Sequence, residues 1–413
     1  MNIKVHRGTH QIGGCVTEYE YNGYRLFIDY GEELPGGPKK GDMQVEGLTH
    51  GDISKSALLI THYHGDHIGS ITKLPKDLPI FMGKVGRDIQ MELSDHLKSV
   101  DGVHQDMLDR LQNVKTFEPG KPFTWGNFNI MPVTIDHSAF DAYAFKIKAD
   151  GVTAFHTGDF RTHGFRSKIL PNVIKKFIGK VDCVVCEATN VSRPDATSLS
   201  ESALQMEYKK LFREHKNNVV YVSSTNIDRL FGLYHAACNE NRVFIIDEYQ
   251  KRIMDIVSEG DAIWGKADLY NFEKKKMPTV LTKHEGKFWM NVKLKWLLGE
   301  MGYVLIARSN PRFDDFIQLI PGEKQTYLSM WNGYVDPSKP AYNETLAKSL
   351  GEGFLYKHTS GHCDMNSLRD IFRLLHPKAI IPIHTENPEA FAQLFNDEWQ
   401  VIVLNDGDCY SLN

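Results

Sequence analysis

No apolar run in this 413-residue chain approaches the ~20 residues that a membrane-crossing helix needs, so no membrane association is expected. The opening residues, MNIKVHRGTHQIGG, hold no apolar core, and the reading therefore expects no cleaved leader. Cysteine is scarce: six residues, Cys15, Cys183, Cys186, Cys238, Cys363 and Cys409, follow no framework spacing. In a chain this long they read as free thiols in a reducing compartment, which predicts a cytoplasmic protein. Cys183 and Cys186 form a C-x-x-C, but inside the apolar run VDCVVCEA, where positions three apart on a strand face opposite sides. There is no charge excess either. Lys and Arg number 48 against 52 Asp and Glu, a net charge of -4, which gives no overall pull toward nucleic acid. Low-complexity segments and internal repeats are absent. At 41% hydrophobic and 24% charged, the composition excludes a disordered or collagenous chain. The length calls for two cores, or one core with a large insertion.

What is present in quantity is histidine, with 18 residues, several at short spacing. The surrounding texture is layered α/β. CVTEYEYNGYRLFIDYG has two β-rich arms around Asn22-Gly23, a hairpin signal, and Asp150-Gly151 marks a second hairpin. SALLITHYH reads as a strand ending in a loop, residues 84–112 have helical spacing, and VDCVVCEATN reads as a buried strand. From about Pro194 the pattern becomes a βα repeat: SLSESALQMEYKKLFREHK, VVYVSS, IDRLFGLYHAACNEN and RVFIID alternate helix and strand, as in a parallel sheet. After about Leu350 short strand–loop–helix units return.

The chemistry is concentrated in Thr61-His62-Tyr63-His64-Gly65-Asp66-His67. A strand-like run delivers three imidazoles and one carboxylate to a glycine-containing turn. Such ligands suit Zn, Fe or Mn, and four are more than one tetrahedral ion takes from a single loop. A two-ion site completed from elsewhere in the chain is the expectation. Asp136-His137-Ser138, Thr157-Gly158-Asp159-Phe160-Arg161 and Ile383-His384-Thr385 each follow a strand-like run.

In this order the motifs resemble the metallo-β-lactamase superfamily. The resemblance implies that His62, His64 and His137 hold one ion, that Asp66, His67 and His384 hold a second, and that Asp159 bridges them. Gly8-Thr9-His10-Gln11-Ile12-Gly13-Gly14 is similar to the superfamily's opening turn, with Gly13 and Gly14 supplying permissive backbone. His6 and His10 receive no role, and His156 is expected in the core. The long βα segment, Glu187 at a strand end, and Thr359-Ser360-Gly361-His362 lying 22 residues before His384 resemble the β-CASP nucleases, RNase J in particular. The implied fold is a metallo-β-lactamase αββα sandwich with an inserted α/β β-CASP domain. The core would comprise residues 1–193 and 351–413, and the insertion 194–350.

The implied function is a metal-dependent hydrolase, a ribonuclease that cleaves RNA phosphodiesters with a hydroxide held by two metal ions. Two Zn2+ are expected, with Mn2+ or Fe suited to the same ligands. Asp66, Glu187 and His362 carry the catalytic roles, Glu187 orienting His362 as the proton donor to the leaving group. Ser224, Thr225, Asn226, His358 and Ser360 are the implied substrate contacts, Ser224–Asn226 as a polar turn opening a helix, with a plain helix cap as the alternative. RNA is the expected partner, with single-stranded DNA and a homodimer as further options. The alternative function is hydrolysis of a small ester, thioester or phosphoester, with the insertion as a lid. Departures from the RNase J pattern are Thr385 after the last His, where that family has Gly, Asp247-Glu248 in place of a basic strand end, and only 29 residues after His384.

One further segment stands out. Lys274, Lys275, Lys276, Lys283, Lys287, Lys293 and Lys295 cluster around Phe288, Trp289 and Trp296. A solvated face with its aromatics turned into the core is the first expectation. RNA contact, with Trp289 or Phe288 stacking on a base, is the second.

Overall fold

A computed structural model of the chain describes residues 1–37, 41–194, 198–260, 270, 272 and 275–412. Lys274 lies outside the described residues. Two compact units are present, one built from Met1–Ser198 with Gly361–Asn413, the other from residues 199–260 and 270–360. Among the described residues no helix is long and apolar enough to cross a membrane.

The first unit holds two seven-stranded sheets. One runs in the order Cys409–Ser411, Asn2–Arg7, Val16–Tyr21, Tyr24–Ile28, Ser56–Leu59, Ile80–Gly83, Lys115–Phe117. The other runs Gln400–Val401, Ala379–Ile383, Cys183–Glu187, Val152–His156, Ala142–Ala149, Phe128–Ile135, Phe123–Trp125. Both hairpins read from the sequence form. Tyr21 pairs with Tyr24 across Asn22-Gly23, and Ala149 pairs with Val152 across Asp150-Gly151. Each turn has two residues with positive φ, the geometry that matches the right-handed twist of the flanking strands.

Period-two alternation then decides the layers. Val5, Leu26, Ile28 and Leu59 of the first sheet pack with Phe145, Ile147, Val185 and Ile381 of the second in one core. Phe27 and Leu58 point the other way and are also fully buried, so the first sheet is covered on both faces. The second sheet's outer face, with Val133, Val184 and Ile380, packs on the helices Met365–Leu375 and Pro388–Phe395. Cys183 belongs to the first of these cores and Cys186 to the second, on opposite sides of one strand. Both are free thiols. This is the metallo-β-lactamase fold.

The second unit is a six-stranded sheet in the order Thr279–Leu281, Val243–Asp247, Tyr303–Ala307, Asn217–Tyr221, Gln325–Leu328, Leu355–Tyr356, and every pairing in it is parallel. Helices begin where the sequence supplies a cap. Ser200, Asn226, Asp247 and Asn343 each accept a backbone N–H three residues on, a contact worth about 1 kcal/mol per cap.

The lysine-rich segment divides. Lys283–His284 and Lys287–Phe288 pair as a short hairpin, followed by the helix Val292–Met301. Phe288 is buried against Phe313 and Phe316, but Trp289 and Trp296 are 53% and 64% exposed. The expectation that all three aromatics enter the core is therefore corrected. Trp289 is the strand neighbour of a buried Phe and faces the other way. Trp296 lies about 200° around its helix from Leu298, that helix's buried side chain.

Candidate metal centre

Five strand ends of the first unit supply the site. His62 and His64 follow Ser56–Leu59, His137 follows Phe128–Ile135, and Asp159 follows Val152–His156. Glu187 ends its own strand, and His384 follows Ala379–Ile383. Parallel pairing of Val152–His156 with Cys183–Glu187, and of that strand with Ala379–Ile383, brings three of these ends into one row. Asp66 and His67 come from the short helix Gly65–Ile68. That helix sits tight against the opening turns: Gly14 N–H donates to the Asp66 carbonyl at 2.9 Å, and a Cβ on Gly31 would fall 1.7 Å from the same oxygen. Gly13, at φ +77°, similarly leaves room for the Asp66 side chain.

Three groups of donor atoms converge, each group mutually within 4.8 Å: His62, His64 and His137; Asp66, His67, Asp159 and His384; and Glu187, His362 and His384. In the first, His62 Nε2 and His137 Nε2 lie 3.1 and 3.2 Å from His64 Nδ1. In the second, Asp159 Oδ2 lies 3.1 Å from His67 Nε2 and 3.5 Å from His384 Nε2, while Asp66 Oδ2 lies 3.2 Å from His384 Nε2.

The outer nitrogens explain the orientation. His137 Nδ1–H donates to the Gly361 carbonyl at 2.7 Å, and His67 Nδ1–H to Asp29 Oδ2 at 2.7 Å. His384 Nδ1–H donates to Thr189 Oγ1 at 2.8 Å and His62 Nδ1–H to Thr61 Oγ1 at 2.9 Å. Thr61 Oγ1 in turn donates to Asp29 Oδ2 at 2.8 Å. Four imidazoles thus have one nitrogen engaged outward and Nε2 turned inward, the arrangement that histidine ligands of metals adopt.

Electrostatics point the same way. Burial, reinforced by neighbouring imidazoles, pushes His62 and His137 well below the ordinary histidine range. Burial also takes His64 down to about 4. These three rings are neutral, with lone pairs available. Burial opposes the charge on Asp66 and Asp159, yet His67 and His384 hold both carboxyls below the usual range. Burial would lower His67 as well, but Asp159, Asp66 and Asp29 raise it well above the ordinary value. A buried cluster of neutral imidazoles beside ionised carboxylates is a donor set for divalent cations.

His362 lies at the rim, its side chain less buried than His62, His67, His137 and His384. Its Nδ1 is 3.4 Å from Glu187 Oε1 and 3.8 Å from Asp159 Oδ2. Burial works against its charge, but Glu187, Asp159 and Asp66 push it up to about 9. Glu187 also fixes the loop, because its carboxylate accepts from Cys363 N–H at 3.1 Å and Thr189 N–H at 3.1 Å.

The remaining singled-out residues lie elsewhere. His156 is buried, with Nδ1 3.1 Å from the Tyr19 hydroxyl, and burial takes it down to about 3. His6 pairs with Glu18 and His10 with Glu389. In the second unit, Asn226 caps the helix Ile227–Asn239 by accepting from Arg229 N–H, and Ser224 Oγ accepts from Gln250 Nε2 at 3.2 Å. Thr225 is half-buried beside them, its N–H donating to Ser223 Oγ at 3.3 Å. His358 Nδ1 lies 3.4 Å from Arg229 Nη1, and Ser360 is half-buried at the end of the unit. Asp247 caps the following helix and pairs with Arg308.

Comparison with known proteins agrees with this geometry. Residues 49–209 match the model of the beta-lactamase superfamily domain, and residues 355–404 match the Zn-dependent metallo-hydrolase RNA specificity domain. These matches and the relatives below support an RNase J-like β-CASP protein of the metallo-β-lactamase superfamily. They support a metal-dependent hydrolase, with the three donor groups as candidate metal-binding residues. The chain is similar to ribonuclease J of Mycoplasma genitalium, 23% identical over 403 residues, covering 92% of this chain and 67% of that protein. It is similar to ribonuclease J of Helicobacter pylori at 25% identity over 407 residues, covering 92% of this chain and 55% of that protein. In fold it matches a solved protein of unknown function from Enterococcus faecalis at a TM-score of 0.76 and 20% identity, over 100% of this chain and 99% of that one.

Asp29 and Thr189 went unassigned in the sequence. Asp29 had a legible signal, a carboxylate ending the apolar run RLFI, and in the fold it has φ +61° and is buried. Thr189 had none. Its hydroxyl lies between His384 Nδ1 and, at 3.2 Å, His362 Nδ1. Thr189→Val keeps the shape and deletes this partner. It is expected to weaken divalent-metal affinity by about 10- to 100-fold, the scale seen when an outer partner of a ligating histidine is lost. Thr189→Ser should restore it. Competition against a chelator measures both, and wild-type affinity in the valine variant would remove Thr189 from this role.

Proposed function

We propose that this RNase J-like chain is a metal-dependent ribonuclease. His62, His64 and His137 hold one divalent ion and Asp66, His67 and His384 the other, with Asp159 shared between them. Zn2+ fits a set of five imidazoles and two carboxylates, and Mn2+ or Fe fit the same donors. The observation that carries the reading is the inward convergence of these donors, each histidine except His64 fixed from outside by a hydrogen bond or ion pair. The RNA substrate is supported by the match to an RNA specificity domain over residues 355–404.

When bound, the ions supply Lewis acidity and a water acidified toward neutral pH. The chain's own residues do the rest. Asp159 fixes the spacing of the two donor groups. Glu187 faces His362 Nδ1 and leaves Nε2 to donate a proton to the departing oxygen. The parallel-sheet unit, residues 199–260 and 270–360, corresponds to the inserted domain read from the sequence as 194–350, and Ser224, Thr225, Asn226, His358 and Ser360 remain its proposed substrate contacts. The free cysteines support a cytoplasmic setting.

The test is elemental analysis of the purified protein with cleavage assays on 5′-labelled RNA, single-stranded DNA and bis(p-nitrophenyl) phosphate. Two ions per chain and metal-dependent RNA cleavage are expected. Activity confined to DNA, or to small esters, would replace the ribonuclease reading. Light scattering on the same sample decides between a monomer and the proposed homodimer.

A further inference from the structure

The lysine-rich hairpin and the helix after it form a surface that the catalytic reading does not use. Residues 275–300 carry six lysines and two glutamates, a balance of +4 in a chain whose net charge is -4. Lys275 and Lys276 reach back to the side chains of Asn239 and Asn241, neutral partners that leave the charge intact. Lys283, Lys287, Lys293 and Lys295 are exposed, and among the described residues only Lys287 of these four forms an ion pair, with Asp315 at 3.9 Å.

Large apolar groups are exposed among these charges. Trp289 is 53%, Val292 86% and Trp296 64% exposed. At about 100° per residue, Lys295, Val292, Trp296 and Lys293 fall near −60°, 0°, 40° and 100° around the helix. An apolar stripe is thus bracketed by an ammonium on each side. The stripe is one helical turn long, and Leu294 and Leu297 turn partly inward. That is too narrow for a helix lying in a membrane surface, which needs a broad apolar face. Aromatic rings flanked by cations are instead the pattern that single-stranded nucleic acid selects. Bases stack on the rings, and phosphates sit against the ammonium groups.

We propose that the hairpin Lys283–Phe288 and the outer face of the helix Val292–Met301 bind single-stranded RNA, with Trp289 and Trp296 stacking on bases and Lys283, Lys293 and Lys295 on phosphates. The proposal rests on the ribonuclease reading for the identity of the ligand, and it adds a binding surface built from residues other than the metal ligands.

The experiment uses the metal-loaded protein and a fluorescent, uncleavable 2′-O-methylated oligoribonucleotide, titrated at several salt concentrations. Lys283→Gln, Lys293→Gln and Lys295→Gln together should flatten log K against log[salt] by about two units, since each phosphate contact on a single strand contributes about 0.7. Trp289→Ala with Trp296→Ala should weaken binding about tenfold or more and leave the slope in place. All these side chains are exposed, and turnover of bis(p-nitrophenyl) phosphate should stay at the wild-type rate, which checks folding. Lys175→Gln with Lys180→Gln, exposed lysines of the other unit, is the control for general charge.

An unchanged slope and affinity, or an equal effect in the control, would overturn the proposal. So would anionic phosphatidylserine vesicles that bind through the two tryptophans while RNA binding is unaffected. The two readings fail separately. RNA cleavage with an unchanged slope removes this surface alone. A flattened slope in a protein that cleaves no RNA keeps the surface and removes the ribonuclease.

Discussion

Asp159→Ala is expected to abolish turnover and to lower metal content from two ions per chain to one or none. Asp159 Oδ2 is the atom common to the second donor group and the rim, at 3.1 Å from His67 Nε2, 3.5 Å from His384 Nε2 and 3.8 Å from His362 Nδ1. Without it the two imidazoles still converge, but Asp66 is the only carboxylate left among those donors. Metal ions contribute several kcal/mol to transition-state stabilisation, and each 1.36 kcal/mol is tenfold in rate. A loss of about 10⁴-fold or more follows. Thermal stability gives an independent readout. A ligand that binds only the folded state raises the melting temperature by mass action, so added Zn2+ should stabilise the native chain more than the variant, which keeps at most one ion. His10→Ala, on an exposed histidine paired with Glu389, should behave as wild type in all three measurements. An Asp159→Ala protein with two ions and full turnover would remove the shared-carboxylate arrangement.

Why this site could be read before any fold was known comes down to where its residues sit along the chain. His62, His64, Asp66 and His67 are sequence neighbours in one turn, so their spacing alone states the chemistry. His137, Asp159 and His384 are remote, but each closely follows a strand, and parallel register aligns the ends that carry Asp159, Glu187 and His384. The outer partners are different. Asp29 holds His67 and Thr61 from 38 and 32 residues away, and Thr189 meets His384 across 195, so neither contact leaves a local pattern. The second unit shows the same limit from another side. Alternating strands and helices were visible there, but the fate of neighbouring aromatics was not. Phe288 and Trp289 are adjacent and equally apolar in any window, and a strand period of two sends one into the core and the other into solvent. Resolving that needs the hairpin register, which two-residue strands barely encode.

His362→Ala should keep both metal ions and still slow RNA cleavage by about 10²- to 10⁴-fold, the usual scale for a positioned general acid. Retention of metal follows from placement, because His362 belongs to the third donor group and stands beside the seven residues assigned to the ions. The loss should depend on what departs. An alkoxide from RNA needs a proton as its bond to phosphorus breaks, whereas p-nitrophenolate leaves without one. The variant should therefore be far less impaired on bis(p-nitrophenyl) phosphate than on RNA. Glu187→Gln separates charge from scaffolding. Glutamine can still accept one of the Cys363 and Thr189 N–H groups that Glu187 holds, but it removes the negative charge 3.4 Å from His362 Nδ1. An intermediate loss with the same leaving-group dependence is expected if Glu187 acts by orienting and charging the imidazole. Equal losses on good and poor leaving groups in both variants would show that His362 and Glu187 shape the loop and move no proton.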